Sequence, residues 1–232
     1  ERVLLKPLGM DSTLWQPDAI PDSNRARGYR WEDERWREEQ PLISGSEVAA
    51  FAGLCSTIRD LACWVGFFLS AWPPRDGPDN APLSRATRRE MQQSARAFTP
   101  SLESRRIGDP PKIISGGYGF GLSCQHNGSW ERVGHGGGLP GFGSHMCWAP
   151  AYGLGVIALA NVTYANVHDA CGDALETLID NARIQPRKPL TSTALRHAHE
   201  DLFRLLNRWD DALAERLFAD NFFLDRDCEH WQ

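Results

Sequence analysis

The segment between residues 118 and 161 constrains the fold most, because short apolar stretches alternate there with residues that favour tight turns. Asn127-Gly128 is the dipeptide that best suits a two-residue hairpin turn, since both positions tolerate positive φ. Residues 150–153, Pro-Ala-Tyr-Gly, predict a further turn. The expected strands cover residues 118–125, 130–134, 144–149 and 154–161. About four strands, at least the first two of them antiparallel, are therefore predicted.

Helices are predicted on both sides of this strand segment. Thr57 and Asp60 have the spacing of a capping box, in which two side chains satisfy free amides at a helix start, and an apolar run extends the helix over residues 58–70. Residues 167–182 have apolar side chains at helical spacing and are expected to pack on the sheet. Residues 11–41 have no regular pattern and are predicted to form a long surface excursion.

The end of the chain has the pattern of a small separate module. Residues 185–190, Gln-Pro-Arg-Lys-Pro-Leu, are typical of a linker. Beyond them, leucines at helical spacing predict two amphipathic helices that are separated near Asp210-Asp211. Residues 222–224 suggest a short strand.

Charge and hydropathy exclude two classes of partner. The 232 residues include 30 acidic and 25 basic side chains, for a net charge of −5, without a run of Lys or Arg, so no nucleic-acid partner is expected. The best apolar stretch, residues 61–72, is shorter than the roughly 20 residues that span a bilayer, so no membrane span is expected. The six cysteines are scattered and predict buried or incidental thiols, although export would permit one or two disulfides.

Several short motifs occur in order along residues 1–183. They include Pro-Leu-Gly-Met at 7–10, Ala-Arg-Gly-Tyr at 26–29, Ala-Gly-Leu-Cys-Ser-Thr at 52–57, Tyr-Gly-Phe-Gly-Leu at 118–122 and His-Gly-Gly-Gly-Leu-Pro-Gly-Phe at 135–142. In order, spacing and predicted secondary structure, this set resembles the β-lactamase-related serine hydrolases, which include class C β-lactamases and penicillin-binding proteins. Each motif is moderately specific, and chance is a poor explanation for all of them together.

The resemblance implies an α+β fold, in which the antiparallel sheet of β-lactamases and transpeptidases is flanked by helices and is present here in part. Residues 1–184 would be the C-terminal portion of such a hydrolase domain, residues 185–191 a linker, and residues 192–232 a small, mainly helical extension that is cut short. Because the chain opens with Glu1 rather than Met, we expect that the start of the natural polypeptide is absent. Cytoplasmic and periplasmic or secreted locations both stay open.

The resemblance also implies a catalytic serine with a lysine three residues later on the same turn of helix. No Ser-x-x-Lys occurs in this chain. Its lysines are Lys6, Lys112 and Lys188, and the residues three positions before them are Val3, Asp109 and Gln185. The nucleophile is therefore expected upstream, unless it has been lost. The upstream part of the same polypeptide would then be needed to complete the site.

A further family motif, Lys-Thr-Gly or His-x-Gly on a strand, has its counterpart in His135, Gly136 and Gly137. An acyl substrate must lie against that strand edge, and glycines leave the edge unobstructed. The backbone amide of Gly138 would be one oxyanion donor, so His135, Gly137 and Gly138 are the candidate catalytic positions. Gly136 and Leu139 are the candidate substrate-binding positions. Taken alone, the same residues would suit a glycine-rich hairpin turn with one exposed histidine.

A histidine at the lysine position bears on the choice of substrate. Lysine is charged at neutral pH, whereas an unperturbed imidazole is mostly neutral there. A substrate carboxylate would therefore be anchored less strongly. We expect the parent enzyme to favour esters or small amide and peptide substrates over β-lactams.

Tyr164-Ala165-Asn166 has the letters of the family's Tyr-x-Asn motif, but it follows the strand motif instead of preceding it. We therefore expect this segment to be a helix cap, with Asn166 or Thr163 satisfying free helix amides.

The remaining histidines have simple interpretations. His145 lies on a predicted strand and is expected to be packed or at the surface. His197, His199 and Glu200 lie in a polar helical stretch and are expected to be solvated. No metal site and no cofactor are predicted.

Two hypotheses about function follow. In the first, the chain is part of a serine hydrolase that forms an acyl-enzyme with small-molecule or peptide substrates, namely esters, small amides or β-lactam-like compounds. In the second, the same fold is a catalytically inactive binding protein that recognises a peptide or cell-wall ligand. The chain as given is expected to be inactive, because it has no Ser-x-x-Lys.

Overall fold

The computed structural model describes residues 1–39, 53–103, 110–126, 130–226 and 230. The chain divides into two compact units. The first comprises Glu1–Pro74 and Pro78–Lys188, and the second comprises Arg75–Gly77 and Pro189–Gln232.

The first unit combines strands and helices. Its strands are β1 (Tyr29–Glu32), β2 (Arg35–Glu38), β3 (Arg96–Ala97), β4 (Ser101–Glu103), β5 (Lys112–Gly119), β6 (Leu122–His126), β7 (Glu131–Leu139), β8 (Phe142–Ala149) and β9 (Leu154–Ala160). Its α-helices are α1 (Ile58–Leu69), α2 (Arg85–Met91) and α3 (His168–Asn181). Single 3-10 turns lie at Lys6–Leu8, Pro17–Ala19 and Asp22–Asn24.

Strands β3 to β9 form one sheet in the order β3-β5-β6-β7-β8-β9, and β4 also pairs with β5. Every pairing is antiparallel. From β5 onwards, strands that are neighbours in the sequence are neighbours in the sheet, as short connections require. The predicted α+β architecture, an antiparallel sheet flanked by helices, is confirmed.

The prediction of one strand over residues 118–125 is wrong, because the chain reverses at Phe120-Gly121. Gly119 ends β5 and Leu122 begins β6, and these two residues face each other in the register. Phe120 and Gly121 both have positive φ, 48° and 77°, as a two-residue hairpin turn requires. The predicted Asn127-Gly128 turn lies outside the described residues, and the strands on either side of it pair antiparallel.

Helices α1 and α3 cover opposite faces of the sheet. Successive residues of a strand point to opposite faces. On β8, Trp148 packs with Phe68 of α1, with the rings stacked at 5.5 Å, whereas its neighbour Cys147 packs with Leu175 of α3. All four side chains are almost fully buried. The predicted packing of the second helix on the sheet is therefore confirmed.

The start of α1 uses only half of the predicted capping box. The Thr57 hydroxyl accepts a hydrogen bond from the Asp60 amide at 3.2 Å, as predicted. The Asp60 carboxylate instead accepts from the Ser12 amide at 2.9 Å and from the Thr13 hydroxyl at 2.6 Å. It therefore ties the N-terminal segment to the helix.

Residues 29–38 form a β-hairpin, where an irregular excursion was predicted. Trp31 of β1 lies opposite Trp36 of β2, and the two indoles meet edge to face with centroids 5.0 Å apart. The Tyr29 amide donates to the Asn161 carbonyl at 3.0 Å, and the Thr163 amide donates to the Tyr29 carbonyl at 2.7 Å. The hairpin is thus attached beyond the end of β9.

The second unit contains α4 (Thr193–Asn207), α5 (Asp211–Leu217) and α6 (Phe222–Asp225). The break between α4 and α5 lies where the sequence predicts it, since Asp210 caps α5 by accepting from the Leu213 amide. The strand predicted at residues 222–224 is wrong, because these residues form α6. The Phe222 ring stacks on Phe218 and the Phe223 ring meets Phe218 edge to face, which favours a compact helical turn.

The described cysteines Cys55, Cys63, Cys124, Cys147 and Cys171 are free thiols. Within the described ranges, no helix combines the length and the apolar content that a bilayer crossing needs.

Candidate active site

The edge of β7 opens immediately after Gly134. β6 pairs with β7 from His126↔Glu131 to Ser123↔Gly134, where its register ends. β8 pairs with the other edge of β7 as far as Leu139. Among the described parts of the chain, residues 135–139 therefore have a strand partner on one side only. Since these residues are extended strand, the alternative of a hairpin turn at His135–Gly137 is wrong.

His135 is the first residue of this open edge, and its imidazole is exposed. Its Nε2 lies 3.0 Å from the hydroxyl of Tyr118, near the end of β5. Tyr118 pairs with Ser123, and Ser123 pairs with Gly134, so the phenol lies two strands away from the residue that precedes His135. A phenol can donate to an unprotonated Nε2 or accept from a protonated one. The contact therefore orients the ring in either tautomer.

The three glycines after His135 allow neighbouring groups to approach the strand. The close contacts that a Cβ would make are 3.1 Å to His145 Nδ1 from Gly136, 2.6 Å to Ser144 Oγ from Gly137, and 2.8 Å to Tyr164 Cδ1 from Gly138. A Cβ at 3.0 Å or less would displace its neighbour, because real side chains do not pack so closely. The glycines therefore keep the edge of β7 free of side chains while β8 and the Tyr164 ring lie close to it.

An open cleft of about 520 Å³ lies beside this edge. It is lined by Tyr118, Ser123, His135, Gly136, Gly137, Ser144, His145, Tyr164, Ala165, Asn166, Val167 and His168. The structure thus brings the predicted positions His135, Gly136 and Gly137 together in one cleft. Gly138 and Leu139 follow them along β7, and Leu139 is half-buried.

His145, on β8, is the buried histidine of the cleft and is 7% exposed. Burial first, and then the electrostatic influence of the nearby His168, Arg132 and His135 side chains, lower its pKa to about 4. Its ring meets that of His168 edge to face at 4.6 Å. Its Nδ1 has no hydrogen-bond partner among the described residues. His145 is therefore neutral at pH 7 and contributes packing to the cleft, as the sequence predicts.

Residues 164–166 lie at the cleft, and their predicted role as a helix cap is wrong. α3 begins after Val167 without a side-chain cap. The Asn166 amide group donates to the Asp169 carboxylate at 3.2 Å, and the Thr163 hydroxyl accepts from the Gly141 amide at 2.7 Å. Thr163 therefore stabilises the turn between β7 and β8, and the Tyr164 ring is left exposed at the cleft.

Sequence reasoning missed Ser144 and His168 as parts of the cleft. The register pairs Ser144 with Gly137. Predicting a hairpin turn at Pro140-Gly141 would have placed Ser144 opposite this glycine of the strand motif. His168 had no such signal, because the packing of α3 places it. His197 and His199 are exposed on α4, as predicted. The described residues hold no group of three side chains suited to a metal ion.

Known proteins share the sequence pattern of this chain. The model of the family described as Beta-lactamase matches residues 1–180. The protein named "Unguisins hydrolase ungD'" from Aspergillus campestris (strain IBT 28561) is 31% identical over 164 residues, which are 69% of this chain and 28% of that protein. "Unguisins hydrolase ungD" from Aspergillus violaceofuscus (strain CBS 115571) is 27% identical over 178 residues, which are 72% of this chain and 30% of that protein.

Solved structures share the fold. The octameric penicillin-binding protein homologue from Pyrococcus abyssi superposes with a TM-score of 0.60 at 22% identity, covering 87% of this chain and 41% of that chain. A β-lactamase from Sulfitobacter sp. EE-36 superposes with a TM-score of 0.51 at 21% identity, and the match covers 80% of this chain and 53% of that chain. The match thus spans less than a third of the length of the two curated relatives and about half of the length of these two solved chains. With the family model matching residues 1–180, the chain belongs to the β-lactamase family of serine hydrolases.

Proposed function

We propose that residues 1–184 form the C-terminal part of a serine hydrolase domain that acts through an acyl-enzyme, and that its nucleophilic serine lies upstream. The observation that carries this proposal is the open edge of β7, where His135 and three glycines follow the last residue paired with β6. A linker at residues 185–191 and a small helical extension at 192–232 complete the proposed organisation. The division of the chain at Lys188 and Pro189 is compatible with it.

The open edge suits an acyl substrate for a physical reason. A strand edge presents backbone amide and carbonyl groups, and an extended ligand can bind them as an added strand. Glycines at residues 136–138 let the ligand approach the backbone. In the proposed site, the Gly138 amide donates to the oxygen that becomes negative when the serine attacks the carbonyl carbon.

His135 has a proposed role at the entrance of this edge. Serine attack forms the bond from Oγ to the carbonyl carbon, and the leaving group departs with a proton as the acyl-enzyme forms. Water then hydrolyses this ester and regenerates the serine. An imidazole oriented by the Tyr118 hydroxyl at 3.0 Å can hold the substrate or the leaving group by a hydrogen bond during these steps.

The two relatives whose names contain "hydrolase" support this class of activity.

The choice of substrate is proposed from the same histidine. A neutral imidazole binds a carboxylate less strongly than a lysine ammonium does, because a charge-assisted hydrogen bond is about twice as strong as a neutral one. We therefore propose esters and small amides or peptides as substrates, rather than β-lactams with their carboxylate.

This proposal is tested by the turnover of a simple aryl ester and of a cephalosporin by the full natural polypeptide. The wild type is expected to prefer the ester in kcat/KM. His135→Lys is expected to raise the ratio of cephalosporin to ester turnover about tenfold, the equivalent of one stronger hydrogen bond. A wild type that prefers the cephalosporin would contradict the proposed substrate class, and a folded protein that turns over neither compound would contradict the hydrolase itself.

A further inference from the structure

Tyr164 combines high exposure with an unusual backbone conformation at the cleft. Its side chain is 64% exposed and its φ is 48°, in the left-handed region that non-glycine residues seldom adopt. Such a conformation is strained and persists only where the surroundings impose it. The contacts of this residue show what imposes it.

Backbone hydrogen bonds attach the Tyr164 turn to the β7–β8 hairpin. The Tyr164 amide donates to the Phe142 carbonyl at 3.1 Å and, less closely, to the Leu139 carbonyl at 3.4 Å. The Ala165 amide donates to the Val162 carbonyl at 3.1 Å, which closes the turn. The position of Tyr164 is therefore determined by the last residue of β7 and the first residue of β8.

Two glycines that face each other across these strands receive this turn. Gly138 pairs with Gly143 in the β7–β8 register. A Cβ on Gly138 would lie 2.8 Å from Cδ1 of Tyr164, and one on Gly143 would lie 2.7 Å from the Ala165 nitrogen and closer still to its carbonyl oxygen. The pair thus forms a slot without side chains, in which residues 164 and 165 lie. This slot holds the Tyr164 ring against Gly138.

We propose that Tyr164 is a specificity-determining residue, whose ring binds a flat apolar group on the acyl side of the substrate. The inference rests on the proposed function, since it places the substrate carbonyl at the Gly138 amide. The group attached to that carbonyl then lies beside a ring that is fixed against the same glycine. Two aromatic rings in contact attract each other more than the apolar area that they bury accounts for. The other tyrosine of the cleft, Tyr118, has its hydroxyl at His135.

The test compares two esters with the same leaving group, 4-nitrophenyl phenylacetate and 4-nitrophenyl acetate, hydrolysed by the full natural polypeptide. Tyr164→Ala is expected to lower the ratio of kcat/KM for phenylacetyl to acetyl ester about fivefold, and Tyr164→Phe is expected to keep it. Phe120→Ala is a matched control, because Phe120 also has a φ of 48° and is 62% exposed, but it lies in the β5–β6 turn. An equal loss for both esters in Tyr164→Ala would overturn the inference.

A binding measurement separates this inference from the proposed function, since it needs no nucleophile. In the protein labelled with ¹³C-tyrosine, the Tyr164 ring signal is identified by its loss in Tyr164→Phe. Phenylacetamide is expected to shift this signal, and acetamide at the same concentration is expected to leave it in place. An unshifted signal would overturn the inference. A shifted signal in a protein that hydrolyses neither ester would contradict the hydrolase and support the binding role of Tyr164.

Discussion

The contact between Tyr118 and His135 shows how single residues in the cleft depend on sheet register. Two residues 17 positions apart meet at 3.0 Å because β5, β6 and β7 pair in one fixed register. Shifting a strand by one residue would turn each of its side chains to the other face. The contact between the phenol and the imidazole therefore depends on the pairing of β5, β6 and β7 as well as on the strand motif.

His145 links the cleft to stability through its protonation. Its folded-state pKa of about 4 lies below the ordinary value of 6.5, so between these pH values the unfolded chain binds the proton more readily. The neutral, buried imidazole therefore contributes to the stability of the fold. This contribution is intact above pH 6.5, falls as the pH decreases, and is fully lost below pH 4. Between pH 7 and pH 5 the expected loss in the free energy of unfolding is about 2 kcal/mol.

The measurement is urea unfolding of wild type and His145→Leu at both pH values. The variant is expected to lose clearly less stability on acidification, because it has no proton to take up at this position. In the wild type, Nδ1 of His145 has no hydrogen-bond partner among the described residues, so the substitution removes no hydrogen bond at that atom. The same loss of stability in both proteins would show that other groups cause the acid sensitivity.

At the scale of the elements, the sequence predicted the helices more accurately than the strands. The apolar runs and the Thr57 cap predicted α1, and helical spacing predicted α3 within one residue at each end. The turn at Phe120-Gly121 was missed because phenylalanine seldom adopts positive φ, so its residue type gave no turn signal. Tyr164 was misassigned because its place in the cleft depends on the glycine slot between two strands, which chain order does not show.

The slot itself gives a prediction for stability. Gly143→Ala is expected to destabilise the fold by about 1–3 kcal/mol, because the new methyl group would meet the Ala165 backbone, with the nitrogen 2.7 Å away. Gly66→Ala is the matched substitution in α1, where a Cβ meets nothing within 4 Å. It is expected to stabilise by about 0.5–1 kcal/mol, since alanine is the better helix former. Chemical unfolding measures both, and equal effects of the two substitutions would rule out the slot.

At the scale of the molecule, residues 1–232 supply one side of the proposed site. The sheet edge, the glycines and His135 are present, whereas the Ser-x-x-Lys motif of the family is absent from this sequence. The order of the motifs was sufficient to predict the family and the α+β fold, because chance is a poor explanation for all of them together. The residues of β8 and residues 164–168 that line the cleft could be identified only from the structure, because packing brings them to β7.

The central claim, an acyl-transfer site whose nucleophile lies outside residues 1–232, is tested by reaction with a fluorophosphonate probe and mapping of the labelled residue by mass spectrometry. We expect stoichiometric labelling of the full natural polypeptide at a serine that precedes a lysine by three residues, and no labelling of the 232-residue chain. Labelling of a serine within residues 1–232, or a folded full-length protein that stays unlabelled, would contradict the account.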